Sequence, residues 1–186
     1  MLYLDSRQPE QRVNDALERV ILVSPQDEPL GSDGKLSVHR SGALHRAFSV
    51  FCFDPAGDLL LQQRAAGKYH SAGQWANSCC GHPRPGESTR TAATRRLFEE
   101  FGLRGDLRHT ATTTYRAELD NGLVEHEIAH LFLCQIDLNP DPDPAEISDW
   151  RFLAPAAFAA DIRRHPGQYA PWVHHYTAHH WRDLFA

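Results

Sequence analysis

The sequence has no long apolar run. None of its segments approaches the roughly 20 consecutive apolar residues that a membrane-spanning helix needs. Its start, MLYLDSRQPEQRVND, also lacks the charged-then-apolar order of a signal peptide. We therefore expect a cytoplasmic protein that does not act at membranes.

The sequence also lacks an excess of positive charge. It has 19 basic and 24 acidic residues, a formal net charge of −5, and no run of Lys and Arg. A nucleic-acid partner is therefore not expected, because a protein that binds the phosphate backbone usually has a basic patch or tail.

Cysteine is scarce and dispersed. The four cysteines, Cys52, Cys79, Cys80 and Cys134, do not resemble the dense framework of a small secreted domain, so we expect free thiols. No repeat or linker divides the 186 residues, of which 41% are apolar, and such a chain can bury one good core. We predict a lead-in over residues 1–19, a single domain over 20–186, and a monomer.

Short strands with turn signals between them dominate the first two thirds of the chain. We predict a strand over 20–23, a hairpin of AFSVFCF and LLLQQR around DPAGD, and one strand through QWANSCCGH. A second hairpin joins TTTYRAEL and LVEHEIAHLFLCQI around DNG. SDWRFL is predicted as the last strand.

Helices are predicted between and after these strands. One helix follows Glu87, because Ala93, Leu97 and Phe101 place apolar residues at i, i+4 and i+8. Ser88 or Thr89 can cap its start, and Gly102 can end it. NPDPDPAE is predicted as an acidic loop, and two helices follow SDWRFL, the second carrying PWVHHYTAHHWRDLF. This order predicts an α/β layered domain with a mixed β-sheet flanked by helices.

The stretch NSCCGHP places two cysteines just before a histidine. On a strand, neighbouring side chains point to opposite faces, so we expect Cys80 and His82 to share a face and Cys79 to pack on the other. A disulfide between adjacent cysteines is strained and is not expected.

The stretch VEHEIAH places two carboxylates on one face of a strand. Glu125 and Glu127 project to one side and His126 to the other, and two buried carboxylates repel each other unless a cation lies between them. The sequence offers three histidines to share such a cation: His39, His45 and His82. The set suits Mn²⁺, Mg²⁺ or Zn²⁺; the alternative is a group of ordinary surface or core histidines.

The predicted helix after Glu87 carries paired charges. Arg95 with Glu99, and Arg96 with Glu100, are spaced at i, i+4 away from its apolar face. This pattern fits a solvated, salt-bridged face. It also fits a cation and phosphate site, in which Glu87 and Glu100 offer oxygens to Mg²⁺ and Arg96 binds a phosphate.

Read as a whole, GHPRPGESTRTAATRRLFEEFGL resembles the Nudix box, a Gly, five residues, Glu, seven residues, then Arg-Glu-apolar-x-Glu-Glu-x-Gly-apolar. One position departs from the box, because Arg96 stands where a Glu is expected. In Nudix hydrolases that Glu belongs to the carboxylate cluster that binds metal for attack on a diphosphate. The departure is expected to weaken a hydrolytic site.

Together with NSCCGHP, LHRAFS, VEHE and APW, the box makes the sequence resemble the type I isopentenyl-diphosphate delta-isomerases, which use the Nudix fold. The resemblance implies an isomerase that interconverts isopentenyl and dimethylallyl diphosphate through a carbocation-like intermediate in isoprenoid biosynthesis. The main alternative is a Nudix hydrolase of a diphosphate substrate. A domain that only binds diphosphates is disfavoured by the candidate acids and bases.

The same resemblance implies roles for individual residues. Cys80 and Glu127 would be the catalytic acid/base pair, with Tyr115 assisting and Trp172 facing the isoprenoid carbons. One divalent ion, Mn²⁺, Mg²⁺ or Zn²⁺, would be held by His39, His45, His82, Glu125 and Glu127. Glu100 and the backbone carbonyl of Cys80 would hold Mg²⁺ bridged to the diphosphate, whose charge would be neutralised by Lys35, Arg64, Lys68 and Arg96.

Overall fold

The computed structural model describes residues 18–119, 121–137 and 139–185. The strands in these ranges are β1 (Arg19–Val23), β2 (Pro29–Gly34), β3 (His45–Phe53), β4 (Leu59–Arg64), β5 (Trp75–Asn77), β6 (Cys79–Gly81), β7 (Arg108–Glu118), β8 (Val124–Gln135) and β9 (Ile147–Leu153). The helices are α1 (Lys35–Ser41), α2 (Thr89–Phe101), α3 (Pro155–Arg164), α4 (Pro171–His179) and α5 (Trp181–Phe185). None of these helices has both the length and the hydropathy required to span a membrane.

The strands form one mixed sheet organised around β3. Strand β3 pairs in parallel with β8 along its whole length, whereas the other strand pairs are antiparallel. The predicted α/β domain with a mixed sheet is confirmed. The boundary between lead-in and domain stays a prediction, because residues 1–17 lie outside the described ranges.

The segment predicted as a single strand through QWANSCCGH is two strands, so that prediction was wrong. Strands β3 and β4 pair only near their connecting loop, at Phe53 and Leu59, and then diverge. Strand β5 continues beside β4 and β6 beside β3. The chain crosses between them at buried Ser78, whose hydroxyl accepts from the Cys52 amide at 2.8 Å and donates to the Leu60 carbonyl at 2.7 Å.

The two larger apolar cores among the described residues lie on the two faces of the sheet. One contains Leu97 of α2, with Phe48 and Cys79 from the strands. The other contains Tyr176 of α4, with Phe51, and Cys80 packs against it. The two adjacent cysteines therefore point to opposite faces, as the alternation of side chains along a strand predicts.

Helix α2 begins and ends where the sequence predicts. The Ser88 hydroxyl accepts a hydrogen bond from the Thr91 amide at 3.1 Å, which satisfies a donor of the first turn. Gly102 ends the helix with φ 66°, and its amide donates to the Phe98 carbonyl at 2.8 Å. Glycine adopts this left-handed conformation at little cost.

The C-terminal region and the segment after β1 differ from the prediction. The second predicted helix is interrupted at His180, which leaves the helical conformation and bonds to Asp183 of α5 at 2.9 Å. Strand β2 and helix α1 were not predicted. The β2 sequence, PLGSDG, has no apolar alternation, and α1 has only seven residues, too few to show a helical period.

Candidate active site

One cavity opens where β3 and β4 diverge, and it gathers most of the predicted site residues. From the predicted acid, base, aromatic and metal residues it is lined by Cys80, His82, Glu100, Tyr115, Glu125, Glu127 and Trp172. All four predicted diphosphate cations also line it: Lys35, Arg64, Lys68 and Arg96. His39 and His45 are fully buried beside His82. The sequence thus predicted which residues meet, while their roles stay predictions.

Cys80 is held in the cavity by polar neighbours. It pairs with Ser49 across β6 and β3, and its thiol donates to Asn77 Oδ1 at 3.1 Å and accepts from Ser49 Oγ at 3.4 Å. Burial raises the pKa of the Cys80 thiol to about 12, although the bond from Ser49 works in the opposite direction. The thiol therefore keeps its proton at neutral pH.

Glu127 is held at both carboxylate oxygens. Its Oε1 lies 2.8 Å from His82 Nε2, and its Oε2 accepts from the Tyr115 hydroxyl at 2.7 Å. Burial acts to raise the pKa of Glu127, but the hydrogen bond and charge of His45, with the Tyr115 hydroxyl, outweigh burial and lower the pKa. The side chain is therefore an ionised carboxylate in this environment.

Cys80 and Glu127 are positioned by the two neighbours of β3. In register, Ser49 faces Cys80 of β6 while His45 faces Glu127 of β8. Strands β6 and β8 both pair with Phe48, so they lie on opposite flanks of β3. Because directly paired residues point to the same face, Cys80 and Glu127 reach the cavity from the same face of the sheet and from opposite flanks.

Three histidines and Glu127 form a compact group of metal-binding atoms. One ligand atom from each of His39, His45, His82 and Glu127 lies within 4.8 Å of the others. The Nδ1 atoms of His39 and His45 bond to the carbonyls of Lys35 and Ala43, at 2.7 and 2.9 Å. In the neutral ring, an Nδ1 that donates to a carbonyl leaves the lone pair on Nε2, so these histidines are oriented as metal ligands are once Nε2 has no proton.

Glu125 and His70 extend this group, and His70 was missed from the sequence. His70 Nε2 lies 3.3 Å from Glu125 Oε1, whereas Glu125 Oε2 lies 3.4 Å from His39 Nε2. Burial lowers the pKa of His70 to about 3, so the ring is neutral. The only sequence signal was its place after Lys68 and Tyr69, which is weak.

The donor set fits a divalent cation. Glu125 Oε2 is a buried atom that has no hydrogen-bond partner among the described residues, and such an atom is costly unless something binds it. His45 Nε2 and His82 Nε2 also face each other at 3.2 Å. Imidazole and carboxylate ligands of this kind suit a divalent metal, whose identity stays a prediction.

The predicted diphosphate cations have carboxylate neighbours that the sequence did not indicate. Lys35 Nζ lies 2.8 Å from Glu18 Oε2, and Lys68 Nζ lies 2.5 Å from Glu146 Oε2. Glu18 and Glu146 line the cavity as well. Glu146 belongs to the acidic loop before β9, and its position depends on contacts between segments that lie far apart in sequence.

Arg96, the residue that departs from the Nudix box, is buried in a set of ion pairs. Its Nη2 lies 2.7 Å from Glu100 Oε1 and 3.1 Å from Glu146 Oε1, and its Nη1 lies 2.9 Å from Glu99 Oε2. Burial acts to lower the pKa of Arg96, but these carboxylates raise it well above the usual value. The solvated face considered for this helix is therefore wrong at Arg96 and Glu100.

Glu87, the other box carboxylate considered as a Mg²⁺ ligand, is engaged elsewhere. It forms a two-bond ion pair with Arg95, with both N–O distances at 2.9 Å. It is absent from the cavity lining, within the part of the chain that the structure describes. Glu87, which a hydrolytic site would use as a metal ligand, is therefore bound to Arg95 and lies outside the cavity lining.

Trp172 forms an aromatic wall of the cavity. It is 3% exposed, and the Arg64 guanidinium lies 5.3 Å from the centre of its ring. The His70 ring meets it edge to face at 5.9 Å. Arg64 also donates to the His70 carbonyl at 3.1 Å, which ties the cation to the loop after β4. Trp172 thus adjoins both the metal-binding group and the cationic part of the cavity.

The chain matches the NUDIX domain family over residues 43–176. Its overall structure is similar to that of DR0079 from Deinococcus radiodurans, with a TM-score of 0.68, 23% sequence identity, and coverage of 82% of this chain and 92% of that chain. The fold, the box and this match define a NUDIX-domain protein.

Sequence similarity identifies the family more closely. Isopentenyl-diphosphate Delta-isomerase 1 of Aromatoleum aromaticum is 48% identical over 156 residues, covering 84% of this chain and 88% of the relative. The isopentenyl-diphosphate Delta-isomerase of Burkholderia multivorans is 46% identical over 157 residues, covering 84% and 89%. The chain belongs to the isopentenyl-diphosphate Delta-isomerase family.

Proposed function

We propose that this protein interconverts isopentenyl diphosphate and dimethylallyl diphosphate, with Cys80 and Glu127 as its two proton-transfer groups. The reaction belongs to isoprenoid biosynthesis and moves a carbon–carbon double bond within one molecule. The observation that carries the assignment of residues is the placement of the two side chains in one cavity, on opposite flanks of β3.

The chemistry requires two proton transfers and no change of oxidation state. One proton is added to the terminal alkene carbon, and another is removed from the carbon next to the CH₂O group. Since the reaction is reversible, each of the two groups donates a proton in one direction and accepts it in the other. Cys80 and Glu127, which both line the cavity, are the two groups proposed to exchange these protons with the substrate.

Tyr115 acts on Glu127 in this proposal. Its hydroxyl donates to Glu127 Oε2 at 2.7 Å, and burial raises its pKa well above the usual value, so that it stays protonated. A fixed donor at Oε2 orients the carboxylate and stabilises its charged form. Tyr115 is therefore proposed to position Glu127 and to tune its proton affinity.

Trp172 is proposed to stabilise the positive charge that develops on the substrate. Protonation of the alkene creates a tertiary cation, which must be protected from water. A cation over an aromatic face gains about 0.5 to 2 kcal/mol, more when water is excluded. The buried indole of Trp172 meets both needs, and Tyr176 of α4 adds a second aromatic side chain to the cavity lining.

Two divalent cations are proposed for the site. His39, His45, His82, Glu125 and Glu127 would hold one, taken as Mn²⁺, Mg²⁺ or Zn²⁺. Glu100 and the backbone carbonyl of Cys80 would hold Mg²⁺ beside the diphosphate, with Lys35, Arg64, Lys68 and Arg96 as the cations that neutralise it. Bound metal would supply fixed positive charge that holds the diphosphate and orients Glu127.

Replacement of each cysteine separately tests the proposal. Cys80→Ala should reduce turnover at least about 100-fold, because a proton-transfer group contributes 10²- to 10⁴-fold, while metal content and melting temperature stay near those of the unmodified protein. Cys79→Ala is the matched control and should keep most of the activity. Equal losses in the two variants would contradict the role of Cys80.

Two further expectations stay predictions. We propose that the protein is a monomer, for which the basis is the absence of a readable apolar patch in the sequence. We also propose that it acts in the cytoplasm. Size-exclusion chromatography with light scattering tests the first, and fractionation of cells that express the tagged protein tests the second.

A further inference from the structure

Glu146 forms ion pairs with two of the cations that the proposed function assigns to the substrate diphosphate. Its Oε2 lies 2.5 Å from Lys68 Nζ, and its Oε1 lies 3.1 Å from Arg96 Nη2. All three side chains line the cavity and are at most 17% exposed. One carboxylate thus spans both cations, with one oxygen directed to each.

The backbone holds Glu146 in this position. Its amide donates to the Asp143 carbonyl and its carbonyl accepts from the Ala65 amide, both at 2.9 Å. The Asp143 amide donates to the Glu100 carbonyl of α2 at 2.8 Å. The loop before β9 is therefore bonded both to the end of β4 and to the end of α2.

A second carboxylate meets Arg96 at the same nitrogen. Glu100 Oε1 lies 2.7 Å from Arg96 Nη2, the atom that also contacts Glu146. A diphosphate that approaches Lys68 and Arg96 without a metal ion would meet two negative charges at short range, and like charges repel strongly where water is scarce. A diphosphate that carries Mg²⁺ presents positive charge, for which carboxylate oxygens are favourable neighbours.

We propose that Glu146 makes the diphosphate subsite selective for metal-bound diphosphate, by holding Lys68 and Arg96 as an internal counter-anion. The inference rests on the proposed function, which assigns these two cations to the diphosphate. A metal-free diphosphate must displace Glu146 against the charge of Glu100. A magnesium diphosphate meets a site whose carboxylates and cations match its mixed charge.

Calorimetric titration with inorganic pyrophosphate tests the inference on the full chain. For the unmodified protein we expect binding that depends strongly on added Mg²⁺. In Glu146→Gln, metal-free pyrophosphate should bind at least about tenfold more tightly, because one competing negative charge is gone. The ratio of affinities with and without Mg²⁺ should fall accordingly.

Glu99→Gln is the matched control. Glu99 also pairs with Arg96, but at Nη1, and it is absent from the cavity lining among the described residues. The affinity of Glu99→Gln for metal-free pyrophosphate should differ less than twofold from that of the unmodified protein. The inference would be overturned if Glu146→Gln binds metal-free pyrophosphate no more tightly than the unmodified protein does. An equal increase in this affinity in both variants would overturn it as well. Melting temperatures of both variants show that the comparison is made on folded protein.

Lys68→Ala separates this inference from the proposed function. If the unmodified protein binds magnesium pyrophosphate and Lys68→Ala weakens that binding about tenfold or more, the assignment of the cation stands and Glu146→Gln decides the inference alone. If Lys68→Ala binds magnesium pyrophosphate as tightly as the unmodified protein does, the diphosphate subsite itself is misplaced, and the role of Glu146 falls with it.

Discussion

Tyr115 donates its hydroxyl hydrogen to Glu127 Oε2 across the β7–β8 pair, at 2.7 Å, and the two residues are directly opposite in register. Directly opposed residues point to the same face of a sheet, so the sheet itself aligns the phenol with the carboxylate. The other oxygen of Glu127 faces the histidines. Glu127 thus directs one carboxylate oxygen to the Tyr115 hydroxyl and the other to the histidines of the metal-binding group.

Tyr115→Phe should lower kcat by about 10- to 100-fold, because a hydrogen bond to a charged group contributes about 1.5 to 3 kcal/mol. Substitution by Phe keeps the ring, so the melting temperature should change little. Steady-state kinetics with isopentenyl diphosphate measures the effect. An unchanged kcat would show that the hydroxyl does not act on Glu127 during turnover.

His70→Ala should weaken binding of Mn²⁺ about 10- to 100-fold, the usual effect of removing a partner that orients a metal ligand. The reason is that His70 Nε2 contacts Glu125 Oε1 at 3.3 Å and leaves Oε2 for the metal. His70→Gln, which keeps a donor, should recover part of the affinity. Isothermal titration with Mn²⁺ is the measurement, and exposed His179 provides the control, His179→Ala. Equal affinities in His70→Ala and His179→Ala would exclude this role.

Restoring the box residue by Arg96→Glu should weaken binding of magnesium pyrophosphate by at least about tenfold. The change removes a buried cation and places a third carboxylate beside Glu100 and Glu146. Arg96→Lys keeps a charge but loses the two-nitrogen contact, so it should show an intermediate affinity. Titration of the three proteins ranks them, and an unchanged affinity in Arg96→Glu would remove Arg96 from the diphosphate site.

Asp161 should contribute to stability in a pH-dependent way. It accepts from the Tyr169 hydroxyl at 2.6 Å and from Arg151 at 2.7 Å, and the bond from Tyr169, chiefly, lowers its pKa. A carboxyl with a lowered folded-state pKa stabilises above its unfolded value of about 3.9, and this contribution is lost as pH falls through the folded pKa.

Asp161→Asn should therefore be less stable than the unmodified protein by about 1 kcal/mol at pH 7. The difference should shrink as the pH falls below about 4, where the unmodified protein loses the same contribution. Urea unfolding at pH 7, 4 and 2.5 measures it. A difference that stays constant over this range would mean that the charge of Asp161 does not stabilise the fold.

The parts of the fold that were predicted carry local signals. Helix α2 has an apolar period and caps at Ser88 and Gly102, and the β7–β8 hairpin has alternating strands around a turn. The break at Ser78 has no such signal. It depends on hydrogen bonds to Leu60 and Cys52, which lie in two other strands. A pattern of neighbouring residues in the sequence cannot indicate the point at which the chain stops pairing with one strand and begins to pair with another.

The site shows the same division. Strand alternation predicted that Cys80 shares a face with His82 and that Glu125 shares a face with Glu127. That the two pairs meet in one site was implied by the family resemblance. His70 and Glu146 were missed because both lie in loops, where side-chain direction follows from tertiary contacts such as the bond between the Ala65 amide and the Glu146 carbonyl. Helix α1 brings His39 to the metal-binding group, and its seven residues gave no helical pattern.

The central claim is tested most directly by incubating the purified protein with isopentenyl diphosphate and Mg²⁺ in D₂O. The product is followed by NMR and free phosphate by a colorimetric assay. The account predicts dimethylallyl diphosphate that carries deuterium at the protonated carbon, with no release of phosphate. Release of phosphate without isomerisation would contradict it and would favour diphosphate hydrolysis by the same cavity.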